Sequence, residues 1–276
     1  DVLAISRFEV PTEQTAGFYT PEDDRFYVLE TEEQTSADQT VIAHEYVHAL
    51  QDQHFDLAQL DDETADDDRH LAFRALVEGD ATLSTILYAS DYVMAIDMLE
   101  LMSSVGGVED EVLETTPMFI RESLAFPYSA GLKFVQALYD RGGWEEVNAA
   151  YETPPQSTEQ ILHPERYWDK DAPVSVTLGD LTSKLGGTWQ ELDNDVMGEL
   201  GLRLILATHA GPALAIKAAE GWGGDRYVFL QTDGAYVTVL NTSWDSDKEA
   251  AEFLKLYRAM MEHRPDFTLE VPALVG

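Results

Sequence analysis

Apolar residues Val41, Ala43, Val47, Ala49, Leu50 and Phe55 recur through the stretch 36–60, which no proline or glycine interrupts. This pattern predicts a largely buried helix, capped at its start by Ser36 or Asp38. A second helical pattern covers 71–83, with Leu71, Ala75, Leu76 and Leu83 apolar. Between them lies an acidic run, 61–68, that reads as a loop, so the two helices are expected to return antiparallel. Before the first helix, two aromatic runs, Gly17-Phe18-Tyr19-Thr20 and Arg25-Phe26-Tyr27-Val28-Leu29, flank a polar turn and predict a β-hairpin. Such a hairpin can offer an edge strand to an extended peptide or simply cover the core.

Further helices are expected over 86–102, 112–125 and 128–140, with Met94, Ile96, Met98 and Met102 packing a core. Residues 142–175 read as loop-rich, with prolines at 154, 155, 164 and 173, and 187–208 as helical. A helix over 213–219 starts at Pro212, and 221–224 is read as a turn. A hairpin of 226–230 and 235–240 closes around Thr232-Asp233-Gly234, and a helix follows over 246–262. The chain is therefore expected to be α+β. A compact, mainly helical domain with a small N-terminal hairpin takes 1–199, and an αββα subdomain packed on it takes 200–276.

The first helix carries His44-Glu45-Tyr46-Val47-His48, an HExxH pattern. Residues i and i+4 share a helix face, so both imidazoles can reach one metal ion, while Glu45, turned by about 100°, can reach a water beside it. Zinc accepts such N and O donors and keeps one position open when it is catalytic. A third protein ligand is then needed. A metzincin would place a glycine and a histidine soon after His48, and the residues up to His54 contain no glycine. Glu78, inside the apolar second helix and beside Gly79, is the better choice, because a buried carboxylate calls for a cation. An ion pair with Arg74, one turn back, is the competing explanation. Asp80 reads either as an acceptor behind a ligand imidazole or as a solvated acid.

The joined pattern HEYVHALQDQHFDL and ALVEGDATL resembles the gluzincin class of zinc peptidases. It is similar in particular to a compact family of secreted or surface-attached proteins well represented in halophilic archaea. Phe126-Pro127-Tyr128-Ser129-Ala130-Gly131, Arg141-Gly142-Gly143-Trp144, the run from Pro154 to Tyr167, and Gly221-Trp222-Gly223-Gly224-Asp225-Arg226 extend the resemblance over about 17–257. The resemblance implies a zincin-like fold and a zinc ion held by His44, His48 and Glu78. Larger gluzincins often carry an acid four residues after the glutamate ligand, where this chain has Thr82. Peptide hydrolysis would use Glu45 as general base. An oxyanion donor is also required; His163 is the first candidate, Tyr167 the second and Arg166 the third. The alternative is a catalytically silent surface or binding protein that keeps the fold.

Charge narrows the setting. With 52 acids against 17 Lys plus Arg, the formal net charge is −35, which repels nucleic acid and anionic membranes. A disordered acidic chain is excluded by 45% hydrophobic and 10% aromatic residues. The acids are spread along the chain rather than gathered for one cationic partner, which points to a high-salt environment where self-repulsion is screened. There is no cysteine, so disulfides and thiolate ligands are excluded. No apolar run approaches the ~20 residues of a membrane helix. The chain begins at Asp1 without methionine, as a processed product would, and Asn241-Thr242-Ser243 is a glycosylation sequon. Both fit a secreted or cell-surface protein acting on a peptide or protein substrate. Nothing in the sequence specifies an oligomeric state.

Overall fold

A computed structural model describes residues 17–20, 25–28, 35–60, 65–92, 116–186, 188–264 and 268. The chain forms two compact units: Asp1–Glu63, Phe73–Pro117 and Ser123–Pro154 make the first, and Thr64–Ala72, Met118–Glu122 and Pro155–Gly276 the second. Both mix helix with small antiparallel sheets, so the α+β class holds.

The first unit opens with the expected hairpin, β1 (Gly17–Thr20) paired with β2 (Arg25–Val28) from Gly17↔Val28 to Thr20↔Arg25. Phe18 stacks on Tyr27 at 4.9 Å, a cross-strand pair that fixes the register. The polar turn 21–24 lies outside the described residues. Helix α1 (Ser36–Phe55) is capped by Thr35. The Thr35 hydroxyl accepts the Asp38 amide at 3.1 Å, and Asp38 accepts the Thr35 amide at 2.7 Å. The sequence reading of Ser36 or Asp38 as the cap is corrected by one residue, because this reciprocal box satisfies two orphan donors at once. At its far end Asp56 turns left-handed, with φ 52, and donates its amide to the Asp52 carbonyl. The Asp52 carboxylate accepts the first amide of α2 (Leu57–Leu60) at 3.0 Å.

Helix α3 runs from Asp67 to Tyr92, so the expected 71–83 segment joins the described part, 86–92, of the one expected over 86–102; the rest of it, with Met94, Ile96, Met98 and Met102, lies outside the described residues. Helix α4 (Met118–Gly142) is one helix where two were expected over 112–125 and 128–140, of which 112–115 lie outside the described residues. Buried Pro127 sits inside it, a break in the sequence pattern that the packed helix tolerates. Helices α3 and α4 touch backbone to backbone. A Cβ on Gly79 would stand 2.3 Å from the Gly131 carbonyl, and one on Gly131 would stand 2.1 Å from the Ala75 oxygen. Leu76, Leu83, Phe134, Val135 and Leu138 fill the interior around this contact. Helix α5 (Trp144–Glu152) closes the unit and buries Tyr151, whose ring stacks on Phe55 at 4.1 Å.

The second unit contains short helices α6 (Thr158–Leu162), α7 (Pro164–Trp168) and α8 (Leu181–Leu185). The stretch 142–175, expected to be loop-rich, thus carries α5, α6 and α7; Ser157 caps α6, and Pro164 takes the first position of α7, where a proline is tolerated. A three-stranded sheet follows in the order β3 (Gln190–Asp195), β4 (Trp222–Thr232), β5 (Ala235–Trp244). The helix expected over 187–208 is thus β3 followed by α9 (Gly198–Ala210), since 190–195 gains ladder bonds to β4. Helices α10 (Pro212–Ala219) and α11 (Asp247–Glu262) complete the unit. The turn expected at 221–224 is a bulged start to β4, where the Gly223 carbonyl accepts the Val174 amide at 2.7 Å. The core gathers Leu202, Leu206, Ala215, Ala219, Trp222 and Phe253. The 199/200 boundary read from the sequence falls inside this unit, since β3 pairs with β4.

Two buried acids organise this unit. Asp225 accepts Trp222 Nε1 at 2.8 Å and the Met197 and Gly198 amides, each at 2.9 Å. Asp68 accepts the Thr158 amide at 3.1 Å and its hydroxyl at 2.5 Å. Gly198, with φ 69, lies so close to Asp68 that no side chain fits between them. Burial raises the Asp68 carboxyl to about 7 against the Thr158 hydrogen bonds that favour its charged form. Folded Asp68 therefore keeps a proton that the unfolded chain releases near pH 4. Its contribution to stability is full below that pH and is lost as pH rises to about 7. Urea unfolding in molar KCl should show stability falling between pH 4 and 7 by less in Asp68→Asn than in the wild type. Equal pH slopes for the two proteins would contradict this.

Candidate metal centre

Helix α1 presents two stripes. His44, His48 and Gln51 fall on one, spaced by four and three residues, and face α3; Glu45 and Asp52, seven residues apart, fall on another and face the hairpin. On the first stripe, His44 Nε2 stands 3.2 Å from Glu78 Oε2, His48 Nε2 stands 3.4 Å from the same oxygen, and the two Nε2 atoms are 3.2 Å apart. Among the described residues this is the group of His and acidic side chains whose donor atoms converge closely enough for a metal ion. Donors ~2.05 Å from a tetrahedral zinc stand about 3.3 Å apart, so three of its four corners fit these residues. His44 is buried, and the side chains of His48 and Glu78 are each 15% exposed.

The electrostatics favour a cation at this point. Burial alone would lower the His48 pKa, but the Glu78 carboxylate, with Glu45 and Gln51, raises it to about 9. Burial would likewise raise Glu78, yet the neighbouring imidazoles hold it well below the usual carboxylate range. Arg74 is exposed, and the close partners of Glu78 are the two histidines, so the alternative Arg74 ion pair is not formed.

The support behind the ligands is partly new. His48 Nδ1 donates to Gln51 Oε1 at 2.8 Å, which leaves Nε2 as the donor to a metal. Gln51 Nε2 in turn donates to Asp80 at 2.8 Å and to the Val77 carbonyl at 3.0 Å. Asp80 is buried and also accepts the Tyr151 hydroxyl at 2.8 Å. It thus acts on the ligand imidazole at one remove. His44 Nδ1 and Thr82 Oγ1 are buried and have no hydrogen-bond partner among the described residues.

Two further groups reach the site that the sequence reading did not assign. Tyr128 of α4 lies with its ring 6.3 Å from that of His44, and its phenol feels the Glu78 charge. Burial and the Glu78 charge hold that phenol protonated, well above its ordinary range. The Tyr19 amide of β1 donates to Glu45 Oε2 at 3.1 Å.

His163 and Tyr167 belong to the second unit. His163 sits between α6 and α7, with Nε2 3.2 Å from Glu199 Oε1 and 3.0 Å from an Arg203 nitrogen. That ring nitrogen can serve only one of them. It donates to Glu199 or accepts from Arg203 according to the tautomer, and the Glu199 carboxylate beside it raises the His163 pKa. Tyr167 lies on α7, half-buried. Arg166 is engaged by Asp171 and Asp245.

Comparison with known families gives one match: a model of a domain of unknown function (DUF8575) matches residues 185–271. That stretch holds the β3–β5 sheet and helices α9, α10 and α11, and none of the converging ligands. No curated protein matches the chain. No solved structure matches it either.

Proposed function

We propose that the first unit is a zinc-dependent metallopeptidase site of the gluzincin kind, with His44, His48 and Glu78 as ligands and Glu45 as general base. The observation that carries this reading is the Nε2, Nε2, Oε2 triangle with edges of 3.2 to 3.4 Å, set beside Glu45 on the same helix. Zinc in such a set supplies Lewis acidity that polarises a carbonyl and lowers the pKa of a water toward ~7. Glu45 takes the proton from the attacking water and passes it to the departing amine. Tyr128, a phenol kept protonated beside Glu78, is placed to donate to the developing oxyanion. No step is assigned to His163, whose neighbours Glu199 and Arg203 belong to the second unit, or to Tyr167, which lies on α7.

A peptide is favoured as substrate by the hairpin. The Tyr19 amide points away from β2 and toward Glu45, so the outer edge of β1 runs past the base. An extended chain that pairs with the Tyr19 carbonyl on that edge would leave the Tyr19 amide on Glu45 and bring its backbone beside the base. The acid excess supports the accompanying proposal of a high-salt setting.

Metal analysis tests the core of this reading. One zinc per chain should survive dialysis in molar KCl, and Glu78→Ala should lose it. A wild type that binds no divalent metal, or a Glu78→Ala variant that binds as well, would remove the proposal.

A further inference from the structure

We propose that Tyr19 is a positioning residue for Glu45; this rests on the peptidase reading and adds to it the part that aims the base. Tyr19 touches the Glu45 stripe of α1 at both ends. Its amide donates to Glu45 Oε2 at 3.1 Å, and its hydroxyl donates to Asp52 Oδ2 at 2.7 Å. Glu45 and Asp52 are two helical turns apart on one face, so a single residue of β1 spans that stretch of the helix surface. The hydroxyl bond sets where the strand lies along α1, and the position of the strand sets where the amide meets the carboxylate.

The hairpin makes the arrangement rigid enough to matter. Tyr19 pairs with Phe26, and the neighbouring pair Phe18 and Tyr27 is stacked at 4.9 Å. Because the Tyr19 amide points away from β2, its bond to Glu45 takes nothing from the β1–β2 ladder. A glutamate carboxylate otherwise turns broadly about its last torsion. Fixing Oε2 with a charge-assisted bond leaves Oε1 as the oxygen that meets the water, so the orientation is settled before reaction.

Two changes isolate this role. An amide-to-ester replacement at position 19, using the α-hydroxy acid of tyrosine, deletes only the N–H. Tyr19→Phe deletes only the hydroxyl anchor. On the zinc-free protein, the Tyr19 amide should be protected from hydrogen exchange in the wild type and exchange at least about ten-fold faster in Tyr19→Phe. With zinc, both changes should lower kcat about ten-fold or more while KM and the zinc Kd stay within about two-fold. An unprotected Tyr19 amide in the wild type would overturn the proposal. So would a wild-type kcat in the ester, or a kcat loss matched by an equal loss of zinc affinity, which marks a merely structural residue. If the wild type cleaves no peptide, the peptidase reading falls, and amide exchange of the zinc-free protein still decides whether Tyr19 holds Glu45.

Discussion

Glu45→Gln is expected to keep its zinc and to cleave peptides some 10²- to 10⁴-fold more slowly than the wild type. The amide is nearly the same size as the carboxylate and still offers an oxygen to the Tyr19 amide, so the hairpin contact at 3.1 Å can persist. What disappears is the capacity to accept a proton at pH 7. The candidate ligand triangle draws His44 and His48 from the other stripe of α1 and Glu78 from α3, so metal stoichiometry should be unchanged. Casein or a peptide library in molar KCl supplies the rate, and zinc content supplies the control. Undiminished cleavage by the variant would exclude Glu45 as the base.

Gly131→Ala should destabilise the protein by about 3 kcal/mol or more and weaken zinc binding with it. The new Cβ would fall 2.1 Å from the Ala75 oxygen, and the obstacle is backbone in the middle of a helix, which has no rotamer to move to. The helices would have to separate. Glu78 adjoins Gly79, the other half of the contact, and Tyr128 stands one turn before Gly131. Separation would therefore pull the carboxylate ligand and the phenol apart from one another. Ser129→Ala, at an exposed position of the same helix, should stay within about 0.5 kcal/mol of the wild type. Denaturant midpoints for the two variants check both statements; equal midpoints would mean that the helices do not meet at Gly131.

The converging group of His44, His48 and Glu78 was legible in the sequence because helical periodicity is local. The spacing of His44 and His48 fixes their common face, and Glu78 stands out as an acid inside an apolar run. Gln51 was equally readable, three residues beyond His48 on the same face, but its role depends on meeting Val77 and Asp80 across the helix pair. Tyr128 could not be placed, since only the glycine contact between α3 and α4 brings it near Glu78. The N-terminal hairpin and the β4–β5 hairpin were visible from alternation and turn residues. Strand β3 was missed because Glu191-Leu192-Asp193-Asn194-Asp195 has little strand preference of its own and is extended by pairing with β4. In the same way Pro127 suggested a boundary where burial keeps one helix intact.

Asp52 is anchored three times over. Its carboxylate takes the Tyr19 hydroxyl with one oxygen and the Leu57 amide with the other, while its carbonyl takes the Asp56 amide where α1 ends. Strand, helix terminus and the start of α2 share that one residue as a common fastener. Opening any of them strips partners from the others, so local fraying at this corner is cooperative and β1 gains its order together with the end of α1.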